Sequence, residues 1–209
     1  MLAKHEGSLE ALVYPSFHQT QLLSRPRHTS DTHIKLTHLD DNSVALTTHL
    51  HLLLNRPDLA QRETSSARKW AQDSLLVNIA ESWLNLRLGG DKYQAAYYVF
   101  EEMASTPSST GTLALVSQAV SELHLGRVEE AQAALEQALG RDEGDRDALA
   151  NLVVLLTVAG KRGEAEEVRG RLEKSGKGKG GEHPLLGDLR EKERLFDEVA
   201  TKWGPKVAS

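Results

Sequence analysis

The sequence predicts an all-α protein, an α-solenoid of stacked helical hairpins closed by a C-terminal capping helix. Three observations predict this fold class. A short turn motif recurs at a nearly constant interval, the segments between the turns carry apolar residues at helical spacing, and the composition combines 39% hydrophobic residues with few aromatic ones. An interval of this length and a helical period together are typical of proteins built from repeated helix pairs.

The recurring turn is a glycine or asparagine followed about five residues later by an alanine. Glycine and asparagine tolerate the left-handed conformation that ends a helix, and a small side chain lets a second helix approach the first closely. From Gly126 to Gly160 the interval is 34 residues, which is the period of tetratricopeptide repeats. The turns with their alanines are Asn55 with Ala60, Gly90 with Ala96, Gly126 with Ala131, and Gly160 with Ala165.

The chain before these repeats divides into two parts. Residues 1–12 are predicted to form part of the first helix of a repeat, and residues 13–43 an irregular or disordered insert. The insert shows no sustained period and is rich in proline and histidine. Its histidines are His18, His28, His33 and His38. Two origins stay open: untranslated sequence retained in the gene model, such as an unspliced intron, or a genuine variable loop.

Residues 44–173 are predicted to form the tetratricopeptide-like solenoid. The repeat pattern is strongest at 112–145, good at 146–173 and 74–108, and weaker at 44–73. One helix pair cannot bury both of its faces, so the pairs must stack on each other. The alternative is a helical bundle unrelated to these repeats.

The C-terminal part has a different composition. Residues 174–183 are rich in glycine and lysine and predict a flexible linker. Residues 184–203 predict a capping helix that covers the open face of the last repeat, and 204–209 a tail. The apolar residues on one side of this helix are Leu185, Leu189, Leu195, Phe196 and Val199.

Composition and spacing argue against several kinds of site. The net charge of −5 gives no broad basic field for nucleic acid, and the lack of cysteine excludes disulfides and thiolate metal sites. The segment GKGKGG at 176–181 follows a helix, whereas a dinucleotide site needs those glycines after a strand. His49 and His51 lie two residues apart and do not share a helix face. We therefore predict no catalytic, cofactor-binding or metal-binding residues.

A binding surface remains as the expected functional feature. In stacked hairpins the first helices line the concave side, and counting back from each turn gives the positions that face inward. These positions are largely apolar, which favours an extended or hairpin segment of a large partner over a charged peptide tail. The predicted partner-binding residues are Val77, Ala80, Leu84, Leu113, Val116, Val120, Leu123 and Val154. Some of these positions are alternatively core residues.

Several motifs together resemble the epsilon subunit family of coatomer, the COPI vesicle coat. They are Gly-Gly-x-Lys-x-Gln-x-Ala-Tyr-Tyr-x-Phe at 89–100, Leu-Gly-Arg at 125–127, Asn-Leu-x-Val-Leu at 151–155, and His183-Pro184 opening a helix that contains Phe196-Asp197. The resemblance covers residues 45–203. Further repeats usually precede this region in the family, and the segment 13–43 has no recognised counterpart there.

The resemblance implies a non-enzymatic helical-repeat adaptor without cofactors. It would bind the C-terminal region of the alpha coatomer subunit and lie peripherally on Golgi membranes and COPI vesicles, in Golgi-to-ER and intra-Golgi transport. No nucleic-acid partner is implied. Two alternatives stay open: a tetratricopeptide co-chaperone that captures charged peptide tails, and an incomplete gene model without independent function.

Overall fold

The computed structural model describes residues 40–106, 111–176 and 181–203, and these ranges contain helices and no strand. This confirms the predicted all-α class. None of the described helices combines the length and the apolar content that crossing a bilayer requires. The helices are α1 (Asp41–Leu53), α2 (Pro57–Ala67), α3 (Leu75–Leu88), α4 (Lys92–Ser105), α5 (Leu113–His124), α6 (Val128–Arg141), α7 (Arg146–Val158), α8 (Arg162–Ser175) and α9 (Pro184–Lys202).

The first eight of these helices pair in chain order into four hairpins. The first helices of the hairpins are α1, α3, α5 and α7, and the second helices are α2, α4, α6 and α8. The second helices α2, α4 and α6 pack both on their own first helix and on the first helix of the next hairpin, and α8 packs on α7. Each hairpin therefore supplies part of its neighbour's core, as expected for a solenoid.

The predicted turn residues adopt the conformation that the sequence indicates. Asn55, Gly126 and Gly160 have φ angles of 55°, 77° and 78°. In each case the following N–H donates to a carbonyl of the last helical turn, which satisfies a backbone group that would otherwise lack a partner. These bonds run from Arg56 to His51 (2.8 Å), from Arg127 to Glu122 (2.9 Å) and from Lys161 to Leu156 (2.9 Å).

The alanine after each turn lies where the two helices of the hairpin cross. Ala60, Ala96 and Ala131 have no exposed surface, and Ala165 is 6% exposed. Around the last two crossings the core is continuous from α5 to the start of α9 and includes the fully buried Leu135, Leu149, Leu155 and Leu172. Close approach at a small residue thus lets leucines from neighbouring helices fill the space beside it.

The solenoid extends slightly beyond its predicted limits. α1 begins at Asp41, because the Asp40 side chain accepts a hydrogen bond from the Ser43 N–H (2.9 Å) and caps the helix. α8 continues to Ser175. The predicted helix at 1–12, the insert up to residue 39 with its four histidines, linker residues 177–180 and the tail 204–209 lie outside the described residues.

The helix α9 forms where it was predicted, and its first two turns cover part of the last repeat, whereas its C-terminal part is exposed. Leu186 is 5% exposed in the core, whereas Leu195, Phe196 and Val199 are 39%, 73% and 54% exposed. The reason lies in α8. Its apolar residues Ala165, Val168 and Leu172 are buried in the core, and the side that faces α9 carries charged groups such as Arg169.

Contacts at the first residues of α9 hold its start against the fourth hairpin. His183 caps α9, because its Nδ1 accepts a hydrogen bond from the Leu185 N–H (3.2 Å). Its Nε2 lies 3.4 Å from Asp147 Oδ1 at the start of α7. Arg146 donates a hydrogen bond to the Gly181 carbonyl (2.9 Å). The helix is therefore anchored at its N-terminal end and extends away from the solenoid.

Two glycine-to-alanine substitutions should change stability in opposite directions. Neither added Cβ would meet another atom within 4 Å, so only the backbone conformation differs between the two sites. Gly126→Ala forces alanine into the left-handed region and should destabilise the protein by about 1 kcal/mol. Gly170→Ala, inside α8, should stabilise it by roughly 0.5–1 kcal/mol. Denaturant unfolding measures both, and equal effects would contradict the role of the Gly126 turn.

Candidate partner-binding surface

Five of the predicted partner-binding residues are core residues in the structure. Val77, Ala80, Leu84, Val116 and Val120 are at most 4% exposed. Val77, Leu84 and Val120 pack with residues of a neighbouring hairpin, and Val116 belongs to the large core that extends to α9. The prediction that their side chains form an accessible binding face therefore needs correction: their role is to hold adjacent hairpins together.

The other three predicted residues remain accessible. Leu113, at the start of α5, is 57% exposed, whereas Leu123 and Val154 are half-buried. The sequence reasoning missed further exposed apolar residues on the first helices, including α1. The sequence did contain a signal for these residues. A helix that carries apolar residues on all sides has apolar surface beyond the face that packs in the core. These additional residues are Leu46, Leu50, Leu53, Leu75, Leu88 and Val158.

Exposed apolar side chains are distributed unequally between the two kinds of helix. In the described hairpins the first helices carry seven of the large exposed ones, and the second helices carry Tyr98 alone. The outer surfaces of α6 and α8 are instead dominated by glutamate, glutamine and arginine. We call the accessible apolar residues of α1, α3, α5 and α7 the first-helix face. It is the surface of the solenoid best suited to burial against another protein.

The first-helix face carries little positive charge. Within the described first helices the basic residues other than histidine are Arg87 and Arg146. Arg87 donates a hydrogen bond to Asn55 Oδ1 (2.7 Å), and Arg146 donates one to the Gly181 carbonyl. Both therefore serve contacts within the chain. A groove that captures carboxylate tails would need several such side chains directed at the ligand.

The tyrosine-rich motif at 89–100 builds the junction between the second and third hairpins. The Tyr93 ring stacks on His124 with centroids 4.6 Å apart, and burial lowers the pKa of His124. A Cβ at Gly89 would lie 3.0 Å from the Tyr93 hydroxyl oxygen. The motif therefore requires glycine at position 89, both for this close approach and for a φ angle of 76°.

Tyr97 extends this junction on α4. Its hydroxyl donates to Glu101 Oε1 (2.7 Å), which raises the pKa of Tyr97 to about 12. Arg127 lies 5.1 Å from the centroid of the Tyr97 ring and donates to Gln94 Oε1 (3.0 Å). This arginine follows the Gly126 turn, so a cation–π contact and a hydrogen bond fix that turn onto the preceding hairpin.

Glu122 on α5 is a carboxylate buried beside this junction. The residue is 4% exposed, Gln118 Nε2 donates to its Oε1 (3.0 Å), and its Oε2 has no hydrogen-bond partner among the described residues. Burial raises the pKa of Glu122, and the negative charges of Glu130 and Glu101 add to this shift. An ionised carboxylate with so little compensation costs stability.

Two open grooves lie near the C-terminal end. One, of about 420 Å³, runs between α6 and α8 over Leu152 and Leu156 of α7, with glutamates along its edges. The other, of about 480 Å³, lies between α8 and α9 and mixes arginine with glutamate. Within the described ranges no three His, Asp or Glu side chains come close enough to hold a metal ion. His49 packs edge-on against Trp83 with centroids 5.9 Å apart.

Comparison with known proteins identifies a family. The sequence model of the family described as "Coatomer epsilon subunit" matches residues 27–204. The match includes residues 27–43 of the predicted insert. It also spans all four hairpins and α9.

Similar curated proteins come from plants, fungi and animals. Coatomer subunit epsilon-1 of Arabidopsis thaliana is 36% identical over 117 residues, which cover 56% of this chain and 40% of that protein. The probable coatomer subunit epsilon of Schizosaccharomyces pombe is 30% identical over 164 residues, 77% of this chain and 54% of that protein. Coatomer subunit epsilon of Caenorhabditis elegans is 29% identical over 148 residues, 71% of this chain and 49% of that protein. The chain thus spans about half the length of the curated relatives it matches.

Replacing Glu122 with glutamine should stabilise the protein at neutral pH by about 1 kcal/mol. Glutamine keeps the acceptor for Gln118 and removes the buried charge. The pKa of Glu122 is higher in the folded state than in the unfolded state. The ionised side chain therefore destabilises the fold at pH values above the folded-state pKa, and this destabilisation is lost as the pH falls below the unfolded-state pKa. The gain in Glu122→Gln should therefore vanish in acid, as urea unfolding at several pH values would measure.

Glu136→Gln is the matched control. Gln132 Nε2 donates a hydrogen bond to Glu136 Oε1 (2.7 Å). The two residues lie four positions apart, as Gln118 and Glu122 do, but Glu136 is exposed to solvent. Its replacement should leave the free energy of unfolding nearly unchanged at every pH. An equal gain in both variants would contradict a specific effect of burial at Glu122.

Proposed function

The chain belongs to the coatomer epsilon subunit family, and from this we propose that it is a non-enzymatic subunit of the COPI vesicle coat. In this role it is a helical-repeat scaffold that binds the C-terminal region of the alpha coatomer subunit. It acts in Golgi-to-ER and intra-Golgi transport, at the cytoplasmic surface of Golgi membranes and COPI vesicles.

Family membership carries this proposal, and the family match over residues 27–204 is its main support. The first-helix face gives independent physical support for a role in assembly. Leu75, Leu88, Leu113 and Val158 are 44–60% exposed, and they lie on three successive first helices. Large exposed apolar side chains of this kind become buried in lasting protein complexes.

The groups with altered pKa values serve packing, which agrees with a role in binding. Tyr97 donates a hydrogen bond to Glu101, His124 stacks on Tyr93, and Glu122 is buried on α5. Each is explained by contacts within the solenoid. We propose no catalytic step for this protein.

Capture of charged peptide tails, as by a tetratricopeptide co-chaperone, is less well supported. Such binding needs lysine, arginine or asparagine side chains directed into the groove. Arg87 and Arg146 lie near the ends of α3 and α7 and bond within the chain. The residues left for a ligand on the first-helix face are mainly aliphatic.

Titration calorimetry with the purified C-terminal region of the alpha coatomer subunit tests the proposal. We expect the unmodified chain to bind, and Leu113→Lys and Val158→Lys to weaken binding by about tenfold or more, because a charge would be placed in a desolvated contact. Absence of binding by the unmodified chain would refute the proposed partner.

Tyr98→Lys is the matched control for these variants. Tyr98 is 59% exposed, close to Leu113 at 57%, but it lies on the second helix α4. It should bind like the unmodified chain. If all three variants lost affinity equally, the first-helix face would not be the specific contact. Circular dichroism establishes that each variant retains its helices.

A further inference from the structure

The groove between α6 and α8 has a counterpart one repeat earlier, between α4 and α6. In both places two second helices pack on the first helix between them, which is α7 in the later groove and α5 in the earlier one. The floor of the later groove contains Leu152 and Leu156. At the repeat interval of 34 residues these positions correspond to Gln118 and Glu122. The floor is therefore apolar in the later groove, whereas it contains a carboxylate in the earlier one.

The sides of the earlier groove are also acidic. Glu101 on α4 corresponds to Glu136 on α6, at the interval of 35 residues that separates the buried alanines of these two helices. Glu130 on α6 corresponds to Glu164 on α8. Glu136 and Glu164 line the later groove, and Glu101 and Glu130 are exposed. We call the earlier groove, defined by Glu101, Gln118, Glu122 and Glu130, the α4–α6 groove.

The three glutamates of the α4–α6 groove lie within electrostatic reach of each other. Burial is the main cause of the raised pKa of Glu122, and the charges of Glu130 and Glu101 add to it. Tyr97 belongs to the same group, because its hydroxyl donates to Glu101 Oε1 (2.7 Å). That bond and burial raise the pKa of Tyr97, and the charge of Glu122 raises it further. Three helices thus each direct one carboxylate toward the same groove.

The described part of the chain provides no ion pair for these glutamates, because its salt bridges involve other acidic residues. Arg127 attracts Glu122 through space. Its guanidinium, however, donates to Gln94 Oε1 (3.0 Å) and lies over the Tyr97 ring. The groove therefore keeps an excess of negative charge.

The carboxylate of Glu122 is not required by the packing of the solenoid. Leu156 occupies the equivalent place in the next hairpin and is 2% exposed, so an apolar side chain fits there. Glu122 is 4% exposed, and its Oε2 has no hydrogen-bond partner among the described residues. A buried acceptor in this state costs stability. The position carries a charge that the fold does not need, and this points to a ligand.

The charge of the groove limits the chemistry of that ligand. Carboxylates repel the phosphates of nucleic acids and of anionic membrane surfaces. In the described ranges no three acidic or histidine side chains are close enough together to hold a metal ion. A lysine or arginine side chain fits better, because it carries several hydrogen-bond donors on a long stem and bonds strongly to carboxylates.

We propose that the α4–α6 groove receives a lysine or arginine side chain from a basic segment of another protein. Glu101 and Glu130 accept hydrogen bonds from the cationic group at the sides of the groove, and the charge of Glu122 attracts it from the floor. The later groove is less suited, since it has Leu156 on its floor and Arg171 along its edge. The contact lies between second helices, apart from the first-helix face, and it does not depend on the proposed function.

Fluorescence anisotropy with a fluorescein-labelled octalysine peptide tests the site. We expect the unmodified chain to bind the peptide at neutral pH. Glu130→Gln and Glu122→Gln should each weaken binding by about threefold or more, because each removes a charge near the bound cation. Glu122→Gln should also be more stable than the unmodified chain, so loss of folding cannot explain its weaker binding. Absence of binding by the unmodified chain, or undiminished binding by Glu122→Gln, would overturn the proposal.

Glu129→Gln is the matched control. Glu129 is exposed in the first turn of α6 beside Glu130, and it corresponds to Gly163, which does not line the later groove. The variant has the same net charge as Glu130→Gln and should bind like the unmodified chain. Equal weakening in both variants would indicate attraction to the overall charge and would overturn the site. Binding of spermine without binding of octalysine would overturn the protein partner in favour of a free polyamine.

Carbodiimide cross-linking locates the contact independently, because it joins a lysine amine to a carboxylate only where the two groups touch. Mass spectrometry of the digested product should show the peptide linked to Glu101 or Glu130. Links confined to glutamates of α8 or α9 would overturn the proposal.

Discussion

The structure depends on the close contact between the two helices of each hairpin at a buried alanine. Ala60, Ala96, Ala131 and Ala165 keep the helix axes near each other, and larger apolar residues fill the space beside them. A hairpin packed in this way still has uncovered apolar surface, which only the next hairpin can bury. The stacking of hairpins follows from this constraint, and so does the burial of Val77, Leu84 and Val120 between neighbouring hairpins.

The same constraint explains where the molecule leaves apolar surface uncovered. Within the described residues no hairpin precedes α1, and the C-terminal part of α9 is exposed, so the two ends of the series have fewer neighbours. The exposed leucines of α1 and the aromatic residues of α9 lie at such ends. A solenoid of this kind offers two distinct surfaces for association, a lateral one along the first helices and a terminal one at each end.

Polar residues of the motif at 89–100 contribute to this stacking. The motif at 89–100 combines a glycine turn, a buried alanine, and tyrosines that hold His124 and Arg127 of the next hairpin. Side-chain contacts thus set the relation between the second and third hairpins in addition to apolar packing. Glu122 is the exception, because its burial opposes stability without forming a complete hydrogen-bond network.

The sequence alone determined the helical class, the turns at Asn55, Gly126 and Gly160, the crossing alanines and the start of α9. These features are local. A left-handed backbone position favours glycine or asparagine, a close helix contact favours a small residue, and a helix requires apolar residues at helical spacing, so each can be recognised from the residue types alone. Tertiary structure decided which apolar residues are accessible, since Val116 is buried and Leu113 exposed although both lie on α5. It also decided that the first two turns of α9 pack on the solenoid, whereas Phe196 and Val199 farther along the helix are exposed. Burial depends on which helices pack nearby, and that is a property of the assembled chain.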